Sequence, residues 1–204
     1  MITIPRLYPI LDAALLPETD RQCAFAEELI LGGCTLLQYR NKSDSARAML
    51  EQARELRRWV GRRARLLMND RADLCLGAGF DGLHVGQEDL SPAGARQVIG
   101  PNLVLGVSTH NDDQLREADS SSADYLAIGP VFSTVSKENP DPVVGLEGVR
   151  RARQLTGKPL VAIGGITLAN ARSVCNAGAD AVAVISDLLR GPRKSAEEFF
   201  RVLE

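Results

Sequence analysis

The residues of this chain best suited to chemistry fall into short polar groups: Arg40 with Lys42, Asn69 with Asp70, Asp89, Ser108, the stretch 134–137 with Thr134, Ser136 and Lys137, Gly164 with Gly165, and Ile185 with Ser186. Asp70 and Asp89 bring carboxylates to a set that also holds the cations Arg40, Lys42 and Lys137. Such carboxylates can be helix caps, but beside cations they suit magnesium (Mg2+) shared with a polyphosphate, since that ion takes one or two carboxylates plus substrate oxygens. Gly164 and Gly165 before a helix N-terminus, together with the amides that follow Val184, have the character of a phosphate site. Polar residues after strands also cap helices in any loop, so one group alone says little. The set says more, because every member follows a predicted strand.

The elements that must position these groups are clearest in the stretch RLLMNDRADLCLGAGFDGLHVGQEDL, residues 65–90. An apolar run at 66–68 stops at Asn69 and Asp70, and Ala72, Leu74, Cys75 and Ala78 then form a helical stripe that closes at Gly77 and Gly79. A second strand over 82–85 leads into Asp89. A crossover helix returns the chain to its starting side, so parallel strands bring Asp70 and Asp89 to one sheet edge, where ligands bind in such folds. The same rhythm predicts strands at 7–11, 34–39, 104–107, 124–128, 160–163 and 181–184. Helices are expected between them: 20–31, one capped by Ser43 or Asp44 and reaching Val60, one opened by Ser91 and Pro92, one through Leu115 and Ala118, 146–155, and one capped by Thr167 and reaching Ala177. After a break at Gly191-Pro192, an amphipathic tail covers 195–203. The stretch 129–145, with Pro130, Pro140 and Pro142 and no helical stripe, reads as a long functional loop.

About eight β-α units with continuously apolar strands predict an α/β fold, a single-domain (β/α)8 TIM barrel over residues 1–204, compact beside the roughly 250 residues usual for that fold. In a barrel, every one of these polar groups converges on the C-terminal face of the strands.

The balance of 45% hydrophobic and 25% charged residues is that of a globular protein, and a net charge of -2 offers no basic excess for nucleic acid. The expected partners are small-molecule substrates, with no nucleic acid and no membrane; oligomeric state is not specified. No signal peptide or spanning segment is recognisable, so a cytoplasmic location is expected. Cys23, Cys34, Cys75 and Cys175 are widely spaced in apolar patterns and read as reduced thiols. His84, between Leu83 and Val85, reads as a satisfied interior histidine, and His110 as a loop residue able to cap. The basic run around Trp59 reads as a solvated helix face and receives no function.

The ordered motifs QYRNK (38–42), NDRADL (69–74), DGLHVGQEDL (81–90), GVSTHN (106–111), DYLAIGPVFST (124–134) and VAIGGI (161–166) resemble the thiamine-phosphate synthase family over 7–189. The resemblance implies that a hydroxymethylpyrimidine diphosphate loses pyrophosphate to the nitrogen of a thiazole phosphate. This is a dissociative alkyl transfer in which the enzyme acts by charge and position. It further implies that Gln38, Arg40, Lys42, Asn69 and Lys137 contact the pyrimidine diphosphate and that Ser108 lies against its pyrophosphate and ring. Arg40, Ser108 and Lys137 are then the catalytic set, and Asp70 and Asp89 bind magnesium. Thr134, Ser136, Gly165, Ile185 and Ser186 would hold the thiazole phosphate.

The chain departs from the family at Ser133 and Val135, where prolines are usual, which leaves a looser unbound loop. Alternatives are a thiazole tautomerase-like enzyme, which carries a histidine where this chain has Pro130, and a non-catalytic thiamine-precursor binding protein. An aldolase or epimerase barrel is disfavoured, because no strand-end lysine or paired histidines stand ready for that chemistry.

Overall fold

The computed structural model describes residues 3–42, 45–134 and 141–204. Strands β1 (Leu7–Asp12), β2 (Leu36–Arg40), β3 (Arg65–Asn69), β4 (Gly82–Val85), β5 (Val104–Thr109), β6 (Tyr125–Ile128), β7 (Leu160–Ile163) and β8 (Ala181–Val184) pair in parallel and close into a barrel in chain order. The helices α1 (Thr19–Leu31), α2 (Ala46–Val60), α3 (Ala72–Ala78), α4 (Pro92–Ile99), α5 (Asp112–Ser120), α6 (Gly145–Leu155), α7 (Ala171–Asn176) and α8 (Pro192–Leu203) alternate with them. This is the (β/α)8 barrel expected from the repeat of apolar runs and helical stripes.

The strands are apolar on both faces because both faces are covered. Tyr8, Ile10, Leu36, Leu67, Tyr125 and Val161 fill the barrel interior, while Leu29, Leu56, Leu66 and Leu126 belong to the separate layer between strands and helices.

Local boundaries follow capping chemistry. Ser45 caps α2 by accepting from the Ala48 N–H at 3.2 Å; Ser43 and Asp44, the expected caps, lie outside the described residues. Ser91 caps α4 with Pro92 in its first turn, and Gly79 ends α3 in the left-handed region at φ 67°. The helix expected to start at Thr167 begins later: the Asn170 side chain accepts from the Thr167 N–H at 2.8 Å, holding a turn before α7. At the C-terminus, Pro192 opens α8, so Gly191-Pro192 is a helix start and the tail helix is longer than the amphipathic pattern alone suggested.

The base of the barrel carries a repeated brace. Asp81, Asp124 and Asp180, each just before an even-numbered strand, accept the backbone N–H of Leu66, Leu105 and Leu160 on the preceding strand at 2.7, 2.8 and 2.8 Å. The same carboxylates pair with Arg57, Arg96 and Arg153 at 2.5, 2.8 and 2.8 Å. Each brace ties two strands and a helix at the face opposite the strand C-termini, where TIM barrels concentrate stability. Arg57 thereby acquires a structural role, and Arg63 and Trp59 both donate to Glu27. Arg57, Trp59 and Arg63 are therefore engaged in ion pairs and hydrogen bonds.

All four cysteines are free thiols, with Cys23, Cys34 and Cys75 buried. Among the described residues, no helix is long and apolar enough to cross a membrane.

Candidate active site

Every described residue singled out for chemistry lies at the C-terminal end of a strand or just beyond it: Gln38, Arg40 and Lys42 on or after β2, Asn69 and Asp70 at the end of β3, Asp89 after β4, Ser108 near the end of β5, Thr134 after β6, Gly165 after β7, and Ile185 and Ser186 after β8. Parallel closure puts these ends on one face. Ser136 and Lys137 lie outside the described residues, as does Val135.

The densest charge cluster joins three of these segments. Lys42 Nζ pairs with Asp70 Oδ2, and the Asp70 carboxyl in turn is a neighbour of Asp89. Burial and then the neighbouring Asp70 carboxyl push Asp89 above the usual carboxylate range, while the Gly86 amide, donating at 2.8 Å, and the charge of Lys42 act in the opposite sense. Two carboxylates forced together in this way form a hard oxygen donor set that a divalent cation would relieve of its repulsion. Neither carboxylate caps a helix: α3 has no side-chain cap, and Ser91 caps α4. Among the described residues no group of three or more His, Cys, Asp or Glu gathers as a metal cage, so the protein oxygens available here are those of a carboxylate pair. Asp70 itself sits at φ 63°, which a short polar residue tolerates, and its N–H donates to the His84 carbonyl at 2.7 Å.

Asn69 is buried, and its side-chain nitrogen has no partner among the described residues, a donor left for something that enters the pocket. Arg40 is held by Asp12, with Nη1 at 2.5 Å from Oδ2, and the buried Asp12 also accepts from the Ala14 N–H at 3.0 Å. Sequence reasoning stopped the first strand one residue short and gave Asp12 no role. The available signal was an acid ending one strand and a base ending the next, which the register Asp12↔Arg40 places side by side.

Ser108 meets His84, whose Nε2 lies 2.7 Å from Oγ, and the other ring nitrogen of His84 is 2.7 Å from the Tyr125 hydroxyl. The interior, fully satisfied histidine expected from the sequence is therefore found. Its contacts with Ser108 and with the Tyr125 hydroxyl were not foreseen.

The opposite side of the mouth is built from backbone. Gly164 and Gly165 take φ of 99° and 63°, and a Cβ on Gly165 would lie 2.6 Å from the Ser133 carbonyl. Loop and strand are thus in direct backbone contact, with the Phe132 N–H donating to the Gly164 carbonyl at 3.0 Å. Asp187 accepts the Leu168 N–H at 2.7 Å, tying the turn after β7 to the segment that holds Ile185 and Ser186. The helix N-terminus expected beside the glycines is displaced by the intervening turn, so α7 does not follow Gly165 directly. His110 is not a cap, since Asn111 caps α5; it donates from Nδ1 to the Gly129 carbonyl at 2.6 Å, and its Nε2 is 3.4 Å from Asp141, beyond the undescribed loop residues.

The family model described as thiamine monophosphate synthase matches residues 7–188. The chain belongs to the thiamine monophosphate synthase family. A thiamine-phosphate synthase of Koribacter versatilis is 58% identical, covering 99% of this chain and 97% of the relative. One of Chloroflexus aurantiacus is 47% identical, covering 89% and 83%. Among solved structures, a thiamine phosphate pyrophosphorylase from Pyrococcus furiosus superposes with a TM-score of 0.85 at 36% identity, covering 97% of this chain and 95% of that one. Membership in the thiamine monophosphate synthase family carries the family's activity, thiamine-phosphate synthesis by a transferase, and the resemblance read from the ordered motifs stands.

Proposed function

We propose that the mouth of the barrel joins 4-amino-5-hydroxymethyl-2-methylpyrimidine diphosphate to hydroxyethylthiazole phosphate. The C–O bond at the pyrimidine methylene breaks and its electron pair leaves with pyrophosphate. The thiazole nitrogen then donates its lone pair to the methylene, and the new C–N bond leaves a thiazolium cation in thiamine phosphate. No protein nucleophile is required, so the residues act by neutralising charge and fixing geometry.

The observation that carries the reading is the cluster of Lys42, Asp70 and Asp89 beside the buried side-chain nitrogen of Asn69, which has no partner among the described residues. Arg40 and Lys42 meet the diphosphate, joined by Lys137, and Asn69 supplies its unused donor. Asp70 and Asp89 would hold Mg2+, whose contribution when bound is countercharge for the departing pyrophosphate. Gln38 and Ser108 address the pyrimidine. Gly165, Ile185 and Ser186, with Thr134 and Ser136, hold the thiazole phosphate. Both substrates are phosphorylated and do not cross a bilayer unaided, which favours a cytoplasmic site of action.

Mixing the protein with both substrates and Mg2+ tests the assignment, with thiamine phosphate and pyrophosphate expected in equal amounts. Isomerisation of a thiazole carboxylate phosphate without coupling would favour the tautomerase alternative, against which Pro130 speaks. Binding with no product in a single turnover would favour a precursor-binding protein.

A further inference from the structure

Five side chains form a continuous hydrogen-bonded chain through the barrel. Gln38 Nε2 donates to the Tyr8 hydroxyl at 2.8 Å, Tyr8 and Tyr125 share a hydrogen bond of 2.8 Å, Tyr125 reaches His84 Nδ1 at 2.7 Å, and His84 Nε2 reaches Ser108 Oγ at 2.7 Å. Its two ends are the residues proposed to address the pyrimidine; its three middle members have no assigned role.

The chain exists because of a glycine. Register places His84, Gly106 and Tyr125 side by side on β4, β5 and β6. A Cβ on Gly106 would fall 2.0 Å from Tyr125 Cζ, so only a residue without a side chain lets the tyrosine ring lie across β5 to meet His84.

We propose that His84, Tyr125 and Tyr8 are positioning residues that force Gln38 and Ser108 to offer opposite hydrogen-bonding characters, one donor and one acceptor, to the heterocycle between them. The argument is a count of protons. Each hydroxyl has one hydrogen, and a neutral imidazole has one N–H. When Gln38 donates to Tyr8, Tyr8 donates to Tyr125, Tyr125 to Nδ1, and Nε2–H to Ser108, which leaves the serine hydrogen at one end and, at the other, the glutamine carbonyl beside its second N–H for a ligand. Running the chain the other way turns the amide over and leaves the glutamine NH2 and the serine lone pair. Either order pairs a donor with an acceptor, whereas an imidazolium would make both ends donors. His84 is buried and both its ring nitrogens meet neutral hydroxyls, an environment that suits the neutral imidazole.

The inference rests on the proposed coupling reaction, because an aminopyrimidine edge presents one ring acceptor next to one amine donor. Replacing the amine by an oxo group reverses that pair: the ring nitrogen donates and the oxygen accepts. The order in the structure, with Gln38 Nε2 donating to Tyr8, aims the serine hydrogen at the ring acceptor and the glutamine carbonyl at the amine, and the oxo heterocycle would require the chain to reverse, a distinction a rigid apolar pocket could not make.

The test compares kcat/KM for the amino and oxo pyrimidine diphosphates in wild type, Tyr125→Phe and Tyr8→Phe, each chain broken at a different link. Wild type is expected to prefer the amino substrate by about a hundredfold or more, and each variant to lose about tenfold or more of that preference while remaining folded by circular dichroism. Should one variant fail to fold, the other carries the test. Unchanged preference in a folded variant would overturn the proposal even if overall rate fell, since a purely structural tyrosine lowers both rates together. Absence of thiamine phosphate with the wild type and amino substrate would instead overturn the coupling reaction itself.

Discussion

Arg40 Nη1 lies 2.5 Å from Asp12 Oδ2, an ion pair between register partners at the ends of β1 and β2. The aspartate side chain is 4% exposed and the arginine 21%, so the acid is a fixed anchor and the guanidinium is the member that faces the mouth. Asp12→Ala is expected to free Arg40 from its pocket-facing rotamer and lower kcat/KM for the pyrimidine diphosphate by about tenfold, with Arg40→Ala and Lys137→Ala at least as severe. Steady-state kinetics at limiting diphosphate check this; wild-type values for all three would remove Arg40 and Lys137 from the diphosphate site.

The carboxylate pair predicts metal dependence. Excess chelator, or Asp89→Ala, should reduce turnover by at least about a hundredfold, because the leaving pyrophosphate loses its countercharge. Isothermal titration with Mg2+ and pyrophosphate together gives a second readout, in which Asp89→Ala should lose the binding seen in wild type. Undiminished activity in chelator would exclude the assignment.

Gly165 predicts how the thiazole end responds to a single methyl group. Gly165→Ala must place a Cβ 2.6 Å from the Ser133 carbonyl at a φ of 63°, so the segment after β6 has to move. The expected result is a several-fold higher KM for thiazole phosphate with little change in KM for the diphosphate, at a stability cost of about 1–2 kcal/mol. Equal changes in both constants would show that the glycine serves the barrel generally.

His84 predicts acid sensitivity. Its pKa is lowered by burial to about 4 from an ordinary 6.5, so the unfolded chain binds the proton more tightly than the folded one. Stability is therefore full above about pH 6.5 and falls as pH drops toward 4, by up to about 3 kcal/mol for this group. Denaturant titrations of the metal-free protein at pH 7 and 5 should show the loss, and His84→Asn should make it smaller. An identical loss in the variant would assign the acid sensitivity to the carboxylates.

Burial makes an opposite prediction at high pH. The thiols of Cys34 and Cys75 are pushed up to about 12, so they stay protonated and shielded in the fold. Half-buried Cys175 should be alkylated before either of them at pH 8, as mass spectrometry of partly modified protein would show. Earlier labelling of Cys34 would mean that its helix-strand layer opens locally.

The sequence alone determined the repeat of strand and helix, the closure into a barrel and the rim on which Arg40, Asn69, Asp70, Asp89, Ser108 and Gly165 stand. These follow from short-range physics: an apolar run covered on both faces must be an interior parallel strand, and residues after such strands share an edge. The ordered motifs also made the family legible. Tertiary structure decided the partnerships, because hydrogen bonds across a barrel join residues far apart in the chain. Asp12 reads as a strand end until register sets it beside Arg40. Tyr8 and Tyr125 meet only because closure brings β1 and β6 across the interior. Gly106 is the gap that admits a ring from the next strand. The start of α7 likewise depended on Asn170 turning back to bind the Thr167 amide, a local competition between side chain and backbone that capping preference alone does not resolve.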